Sequence, residues 1–194
     1  HAAHHAVASL AAGHVDGGNQ TLEDVVVPVL QFHVAARLDK GDVLVLAGSI
    51  TKSMPEDIHC DILQRLESKE IMSVVDATGD LLVNVLPYRP FLIKPNHHEL
   101  GELFDVTITT KQQVVPYAEK LQEKGARNVL VSMGGQGAVF VSETGEVYMA
   151  EAPEGELKNS VGAGDSLVAG FVTGWVTKGD YEHAFRMGVS TGSA

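Results

Sequence analysis

The sequence predicts an α/β fold, a three-layer α/β/α sandwich built around a mostly parallel sheet. Two observations support this prediction. Short apolar runs that suit buried strands alternate with segments of helical pattern, and strands that alternate with helices pair in parallel. The chain also has 194 residues, the length of one ordinary domain, and 44% of them are apolar. It can therefore bury a sizeable core, which excludes a wholly disordered chain.

The first 20 residues are rich in Ala and His and show little apolar periodicity. We leave residues 1–20 as an unassigned stretch and place a partial α/β domain over residues 21–194. A metal site in the first stretch is disfavoured, because no carboxylate accompanies its nearby histidines, His1, His4 and His5. The domain opens with a helix predicted over residues 22–38.

The next segments predict a β-α-β order. The apolar run Val43–Ala47 is typical of a buried strand. Residues 55–70 begin with Pro, Glu and Asp, which favour the start of a helix. Two more strands are predicted over Met72–Asp76 and residues 91–94, with a short helix near residues 80–86 between them.

The last third of the sequence predicts a β-hairpin with helices before and after it in the chain. Residues 111–124 predict a helix that ends at Gly125, and Asn128–Ser132 predicts the strand after it. The turn sequence Glu-Thr-Gly at 143–145 indicates a hairpin between two strand-like segments, residues 138–142 and 146–150. Two helices are predicted for the end of the chain, over residues 163–177 and 181–193.

The composition excludes several kinds of partner and site. With 14 Lys and Arg against 25 Asp and Glu, the formal charge is −11, which leaves no basic surface for nucleic acid or an anionic membrane. Cys60 is the only cysteine, so an internal disulfide and a thiolate-cluster metal site are excluded. No apolar run approaches the roughly 20 residues that span a bilayer, and no secretory signal opens the sequence. We therefore expect a cytoplasmic protein.

The sharpest candidate site is the sequence NSVGAGDS at residues 159–166, which leads into an apolar helical segment. Gly162 and Gly164 leave backbone N–H groups uncovered at a helix start, where the helix dipole favours an anion. Asp165 falls in the first turn, where a carboxylate can accept the proton of an attacking hydroxyl. The motif predicts phosphoryl transfer, although glycine packing and a helix cap are an equally good interpretation.

A second candidate is the sequence KPNHHE at residues 94–99. Asn96 and Glu99 are three residues apart at a predicted helix start, and their amide and carboxylate oxygens suit Mg²⁺. Lys94 can neutralise a phosphate. We interpret His97 and His98 as surface or packing groups and not as zinc ligands, because successive side chains diverge.

Two further glycine-containing segments also follow predicted strands. Residues 132–137, SMGGQG, lack the Lys of a Walker A loop, and they are either a ligand-binding loop or a plain tight turn. Residues 47–51, AGSIT, are either a ligand contact or a simple bend. For each of these two segments, the sequence alone does not decide between ligand binding and a simple turn or bend.

Together these motifs resemble a known family. The stretch NSVGAGDSLVAGF at 159–171 resembles the second signature of the ribokinase-like sugar kinases. The order AGS, KPNHHE, SMGGQG and VGAGD is that of the phosphofructokinase-B branch. The surrounding sequence, over roughly residues 40–194, is most similar to the fructose-1-phosphate kinases of that branch.

The resemblance implies a ribokinase-like fold with ATP and Mg²⁺ as cofactors. It implies that Asp165 is the catalytic base and that an anion hole is formed by Gly162, Ala163 and Gly164. It implies nucleotide contacts by Lys94, Asn96, Ser132, Gly134, Gly137, Val189 and Ser193. It also implies that Asn96 and Glu99 organise Mg²⁺, in part through water.

The implied reaction is ATP-dependent phosphorylation of a phosphorylated ketohexose, fructose 1-phosphate to fructose 1,6-bisphosphate. The implied partners are the sugar phosphate and ATP, and a homodimer is among the expected states. The alternatives are a tagatose-6-phosphate kinase or another ribokinase-like sugar kinase, a dinucleotide-binding oxidoreductase, and a non-catalytic fragment that binds nucleotide. Against the oxidoreductase, no G-x-G-x-x-G follows a first strand with an acidic residue about 20 positions on.

Members of this family are longer than 194 residues. The resemblance leads us to expect that an N-terminal part, with the residues that grip the sugar and a small β lid, is missing here. We therefore expect residues 1–194 alone to be inactive as a sugar kinase.

Overall fold

The computed structural model describes residues 37–47, 57–152 and 162–192. The predictions for residues 1–20, for nearly all of the 22–38 helix and for most of the 47–51 segment lie outside these residues. The chain divides into two compact units, His1–Ile93 and Lys94–Ala194. Across the three described ranges, no helix combines the length and apolar character needed to cross a bilayer.

The described part of the first unit is built on parallel strands. They are β1 (Val43–Ala47), β2 (Met72–Asp76) and β3 (Leu92–Ile93). Val43 of β1 is paired with Met72 of β2, and Val74 of β2 with Leu92 of β3. The predicted parallel pairing is therefore confirmed here, although β3 is shorter than the predicted strand over residues 91–94.

Two helices of this unit connect the strands. They are α1 (Ile58–Leu66) and α2 (Gly79–Val85), each followed by a short 3-10 helix, Glu67–Lys69 and Leu86–Tyr88. Ile58, Ile62 and Leu66 recur at helical spacing and are buried. The prediction that the helix over residues 55–70 reaches Glu70 is wrong, because α1 ends at Leu66 and Glu70 adopts a left-handed conformation with φ 51°.

The second unit carries four helices and three strands within its described residues. The helices are α3 (His97–Leu103), α4 (Lys111–Glu123), α5 (Ala163–Lys178) and α6 (Tyr181–Gly192). The strands are β4 (Asn128–Ser132), β5 (Ala138–Val141) and β6 (Val147–Ala150). For α3 only the start was predicted, whereas the ends of the other elements differ from the prediction by one residue at most where both are described.

These three strands pair with one another in the antiparallel direction. Val129 of β4 pairs with Val141 of β5, and Ala138 of β5 pairs with Ala150 of β6, both antiparallel. The predicted hairpin is confirmed. Residues 133–137 are too few to return the chain for a parallel partner, which needs a crossover of about a dozen residues or more.

Aromatic packing joins the helix pair α5–α6 to this hairpin. Phe140 of β5 is fully buried, and its ring centroid lies 4.8 Å from that of Phe171 and 5.5 Å from that of Tyr181. Phe185 lies 6.1 Å away on the same side. These contacts hold both helices on one face of β5, because aromatic rings bury large areas and interact at such distances.

Small residues let α5 and α6 approach closely. A Cβ on Gly174 would lie 2.8 Å from the Cα of Ala184, and one on Gly188 would lie 2.8 Å from the backbone oxygen of Leu167. A side chain at either position would force the helices apart. The close contact therefore sets the distance between α5, which carries the GAGD motif at its start, and α6.

Candidate functional site

The GAGD motif forms the start of α5. Gly162 is the N-cap with φ 88°, a left-handed conformation that favours glycine. Its backbone oxygen accepts a hydrogen bond from the N–H of Ser166 at 2.9 Å. Asp165 lies exposed in the first turn. Because Gly162 has no side chain, the N-cap supplies no side-chain acceptor for the first N–H groups, an arrangement that suits a bound anion.

Lys94, the residue directly after β3, lies against the same helix start. Its side chain is buried, with 7% of the residue exposed. A Cβ built on Gly164 would lie 3.1 Å from Nζ of Lys94 and 3.5 Å from its Cε. The ammonium group therefore lies against the first turn of α5, close to the predicted anion hole.

Asn96 and Glu99 form a capping box at the start of α3. Oδ1 of Asn96 accepts hydrogen bonds from the N–H groups of His98 and Glu99, both at 2.9 Å. Oε2 of Glu99 in turn accepts a hydrogen bond from the N–H of Asn96 at 2.8 Å. The two side chains lie together, as the spacing predicts, and their first role is to satisfy the backbone at the helix end.

The end of β4 lies beside this capping box. Asn96 forms an isolated parallel bridge with Ser132, whose N–H donates to the oxygen of Pro95 at 3.3 Å. Nδ1 of His97 lies 3.4 Å from the backbone oxygen of Ser132. The KPNHHE and SMGGQG segments are thus brought together at the carboxyl end of β4, where ligands of α/β sheets commonly bind.

The SMGGQG segment closes on itself as a short turn. The N–H of Met133 donates to the oxygen of Gly137 at 2.8 Å, and the N–H of Gly137 donates to the oxygen of Gly134 at 2.9 Å. Gly134 has φ 55° and no atom within 4 Å of the place where its Cβ would be. The exposed outer side of the turn can therefore be approached by a ligand.

Gly137 has a different environment from the one we expected. A Cβ on this residue would lie 2.0 Å from the backbone oxygen of Ala150 and 2.7 Å from the backbone nitrogen of Ala152. Its φ is 90°, which also favours glycine. The protein's own backbone fills the space beside Gly137, so packing accounts for this glycine, and a nucleotide contact there stays a prediction.

Val189 and Ser193 are the remaining residues that were predicted to contact the nucleotide. Val189 lies half-buried on α6, on the helix that packs against α5. Ser193 lies outside the described residues, as do the first three residues of the 159–166 motif.

No ready-made metal cage is present in the described ranges. No group of three or more His, Cys, Asp or Glu side chains there is arranged to hold a metal ion. The donors at α3 are one amide and one carboxylate, which fit Mg²⁺ because this ion keeps several waters and takes phosphate oxygens. Such a site is completed by a nucleotide and water and not by the protein alone.

Two contacts at this site were missed in the sequence. The contact of Lys94 with Gly164 depends on how α5 packs, and no local sequence pattern predicts it. The capping box could have been found, because Asn followed three residues later by Glu is a helix-start signal as well as a metal-ligand spacing.

Comparison with known proteins decides the family. A family model described as pfkB family carbohydrate kinase matches residues 8–194. The chain belongs to the pfkB family. It is 49% identical over 158 residues to the 1-phosphofructokinase of Bacillus subtilis (strain 168), which covers 81% of this chain and 52% of that protein.

Solved structures support the same assignment. Phosphofructokinase-2 from Escherichia coli in complex with fructose-6-phosphate matches with a TM-score of 0.81 and 27% identity, over 90% of this chain and 57% of that one. Arabidopsis thaliana ribokinase complexed with ribose and ATP shares the fold, with a TM-score of 0.67 and 18% identity over 88% and 52% of the two chains. The predicted ribokinase-like α/β fold is confirmed. The pfkB chain described here spans about half the length of the curated relatives it matches.

Proposed function

We propose that this chain carries the phosphoryl-transfer part of an ATP-dependent sugar-phosphate kinase whose acceptor is fructose 1-phosphate. One observation carries the proposal. A buried lysine, Lys94, meets the glycine-rich start of α5 beside the carboxylate-bearing turn of Asp165. A cation, uncovered backbone N–H groups and a candidate base in one place are what transfer of a phosphoryl group requires.

Asp165 is the proposed general base. Its carboxylate accepts the proton of the sugar hydroxyl while the hydroxyl oxygen forms a bond to the γ-phosphorus. The bond between that phosphorus and the bridging oxygen breaks, and ADP leaves with its electron pair. Exposure of Asp165 in the first turn of α5 allows an acceptor to reach it.

The start of α5 and Lys94 stabilise the charge on the transferring group. Backbone N–H groups of Gly162, Ala163 and Gly164 lie where the positive end of the helix dipole is strongest. Lys94 adds a full positive charge against the same turn. Such donors act most strongly because they are in place before the reaction begins.

The remaining proposed contacts hold the nucleotide and its metal ion. The turn Gly134–Gln136 is exposed and open to a phosphate or a ribose, with Ser132 at its base. Asn96 and Glu99 would hold Mg²⁺, directly or through water. The capping box uses Oε2 of Glu99, so its other oxygen is the one assigned to the ion. When bound, Mg²⁺ supplies charge neutralisation at the phosphate oxygens.

The choice of acceptor rests on similarity. The Bacillus subtilis relative, at 49% identity, is named 1-phosphofructokinase, whereas the more distant structural neighbour is bound to fructose-6-phosphate. The closer relationship favours fructose 1-phosphate. Family membership also removes the reason to keep a dinucleotide-binding oxidoreductase as an alternative.

A coupled assay of ADP release by the full-length gene product tests the proposal. Fructose 1-phosphate, fructose 6-phosphate, tagatose 6-phosphate and ribose should be offered in parallel, with Mg²⁺ and ATP. We expect the highest kcat/KM with fructose 1-phosphate. A higher value with another sugar would change the acceptor, and no sugar-dependent ADP release would overturn the kinase proposal itself.

A further inference from the structure

Gly164 is the glycine of the GAGD motif that touches another side chain. A Cβ on Gly164 would lie 3.1 Å from Nζ of Lys94, whereas a Cβ on Gly162 would meet nothing within 4 Å. Gly162 is explained by its left-handed φ of 88°, but Gly164 has an ordinary helical conformation. The absence of a side chain at 164 therefore calls for a different explanation from the absence at 162.

The neighbour that fills this space is a buried cation. Lys94 is 7% exposed and its ammonium end rests on a helix start, which carries partial positive charge. The two groups carry charge of the same sign, so together they create a positive potential beside the helix start. An anion bound beside them interacts favourably with both. If the ammonium group moved away from the helix start, it could no longer act on that anion together with the backbone N–H groups.

We propose that Gly164 is a positioning residue that acts through Lys94. Its missing side chain keeps the ammonium group against α5, so that Nζ and the backbone N–H groups bind the same phosphoryl oxygens. The inference rests on the proposed function and adds a role to it. Exposed backbone N–H groups are the usual reason for glycine at an anion site, whereas here the lysine sets the requirement.

The proposal separates binding from stability in Gly164→Ala. An alanine methyl group would meet the flexible end of a lysine side chain and not a rigid backbone, so the fold can accommodate it by moving Lys94. Alanine is also a better helix former than glycine. We therefore expect an unchanged or higher melting temperature together with weaker binding of ATP.

A double-mutant cycle is the test, with the affinity for MgATP measured by calorimetry in wild type, Gly164→Ala, Lys94→Met and the double variant. Met keeps the apolar stem of Lys94 and removes the ammonium group. We expect Gly164→Ala to weaken binding about three- to tenfold and Lys94→Met by at least about tenfold, as for hydrogen bonds to charged groups. In the Lys94→Met background, Gly164→Ala should change the affinity less than about twofold, because residues that act through each other are not additive.

A matched control lies on the same helix. Thr173→Ala also raises helix propensity, at an exposed position about two and a half turns further along α5 than Gly164. Its affinity for MgATP should equal that of the wild type. A loss there as large as in Gly164→Ala would assign the effect to the helix as a whole and would overturn the inference.

The other outcomes are equally decisive. Full multiplication of the two single effects would mean that the methyl group at position 164 acts independently of Lys94, which contradicts the proposal. A wild type that binds MgATP but is unaffected by Gly164→Ala would refute this inference alone, whereas a wild type that binds no nucleotide would refute the proposed function too. Should Gly164→Ala lower the melting temperature, Lys94→Met must restore it by making room for the methyl group, and no restoration would count against the contact.

Discussion

At the scale of single residues, Gly137 and Gly134 show that two glycines of one turn are present for different reasons. Gly137 combines φ 90° with a space filled by the backbone of Ala150 and Ala152. Gly134 has φ 55° and open space where its side chain would be. Identical letters in the sequence therefore correspond to a packing requirement in one case and a conformational preference in the other.

Gly137→Ala should destabilise the protein much more than Gly134→Ala. A methyl group at 137 would meet a carbonyl oxygen at 2.0 Å, which forces the backbone to shift, so we expect a loss of at least about 2 kcal/mol. Gly134→Ala should cost only about 1 kcal/mol, the cost of a left-handed alanine. Chemical denaturation of both variants measures the difference, and equal losses would show that no close backbone contact exists at 137.

In the full-length gene product, Asp165→Asn should lower kcat by about 100-fold or more while the affinity for ATP changes little. Asn keeps the shape of the side chain but cannot take up the proton of the acceptor hydroxyl. Asp180→Asn is the matched control, because Asp180 caps α6 through a 2.7 Å hydrogen bond from the N–H of His183 and Asn caps equally well. Wild-type turnover in Asp165→Asn would remove this residue from the role of base.

At the scale of elements, the capping box of α3 explains how one pair of side chains can serve both folding and chemistry. Helix α4 begins with the same arrangement, in which Thr110 is the N-cap and Gln113 takes the place of the glutamate. The neutral amide of Gln113 is thus sufficient for capping in this protein. A carboxylate at position 99 is consequently more than the helix needs.

In the full-length gene product, Glu99→Gln should leave the melting temperature nearly unchanged and raise the Mg²⁺ concentration for half-maximal rate. The amide can still accept the hydrogen bond from the N–H of Asn96, while the charge that attracts the cation is lost. Thermal unfolding and a Mg²⁺ titration of the rate separate the two effects. A large fall in stability with an unaltered Mg²⁺ dependence would make Glu99 a purely structural residue.

The start of α6 carries a partly buried hydroxyl, that of Tyr181, whose titration should be visible in the stability of the protein. Tyr181 donates to Oε1 of Glu143 at 2.8 Å, and the same carboxylate holds Arg127 through two 2.7 Å contacts. Burial, and then the hydrogen bond to Glu143, raise the pKa of Tyr181 from 10.0 to about 12. Ionisation of the phenol is therefore less favourable in the folded protein than in the unfolded chain.

The contribution of Tyr181 should be lost between about pH 10 and pH 12. Because the folded pKa lies above the unfolded one, the stabilisation is complete below pH 10 and disappears as the pH rises through the folded pKa. Tyr181→Phe has no group to titrate there, so the difference in unfolding midpoint between wild type and variant should shrink across this range. A constant difference would contradict the raised pKa.

At the scale of the whole molecule, all of the described residues proposed to bind nucleotide belong to the unit Lys94–Ala194. Three of the segments that carry them are far apart in the sequence but meet in space, since Asn96 bridges to Ser132 and Lys94 lies against Gly164. The chain should therefore bind ATP in preference to NAD. Calorimetry with both nucleotides checks this expectation, and binding of NAD without ATP would reverse it.

Much of this organisation could be predicted from the sequence because its signals are local. Strands Val43–Ala47, Met72–Asp76 and Asn128–Ser132 were predicted to the residue, since each is an apolar run of strand length between turn or helix signals. The hairpin turn and the start of α5 were predicted for the same reason. The order of four short motifs was specific enough to indicate the family.

Contacts between distant segments were decided only by the tertiary structure. Nothing near Gly164 in the sequence shows that Lys94 will rest against it, and nothing near Gly137 shows that residues 150–152 will fill its side-chain space. Likewise, nothing near Phe140 in the sequence shows that its ring will pack against Phe171 of α5 and Phe185 of α6. Periodicity and turn chemistry act over a few residues, whereas these features depend on how helices and strands pack in space.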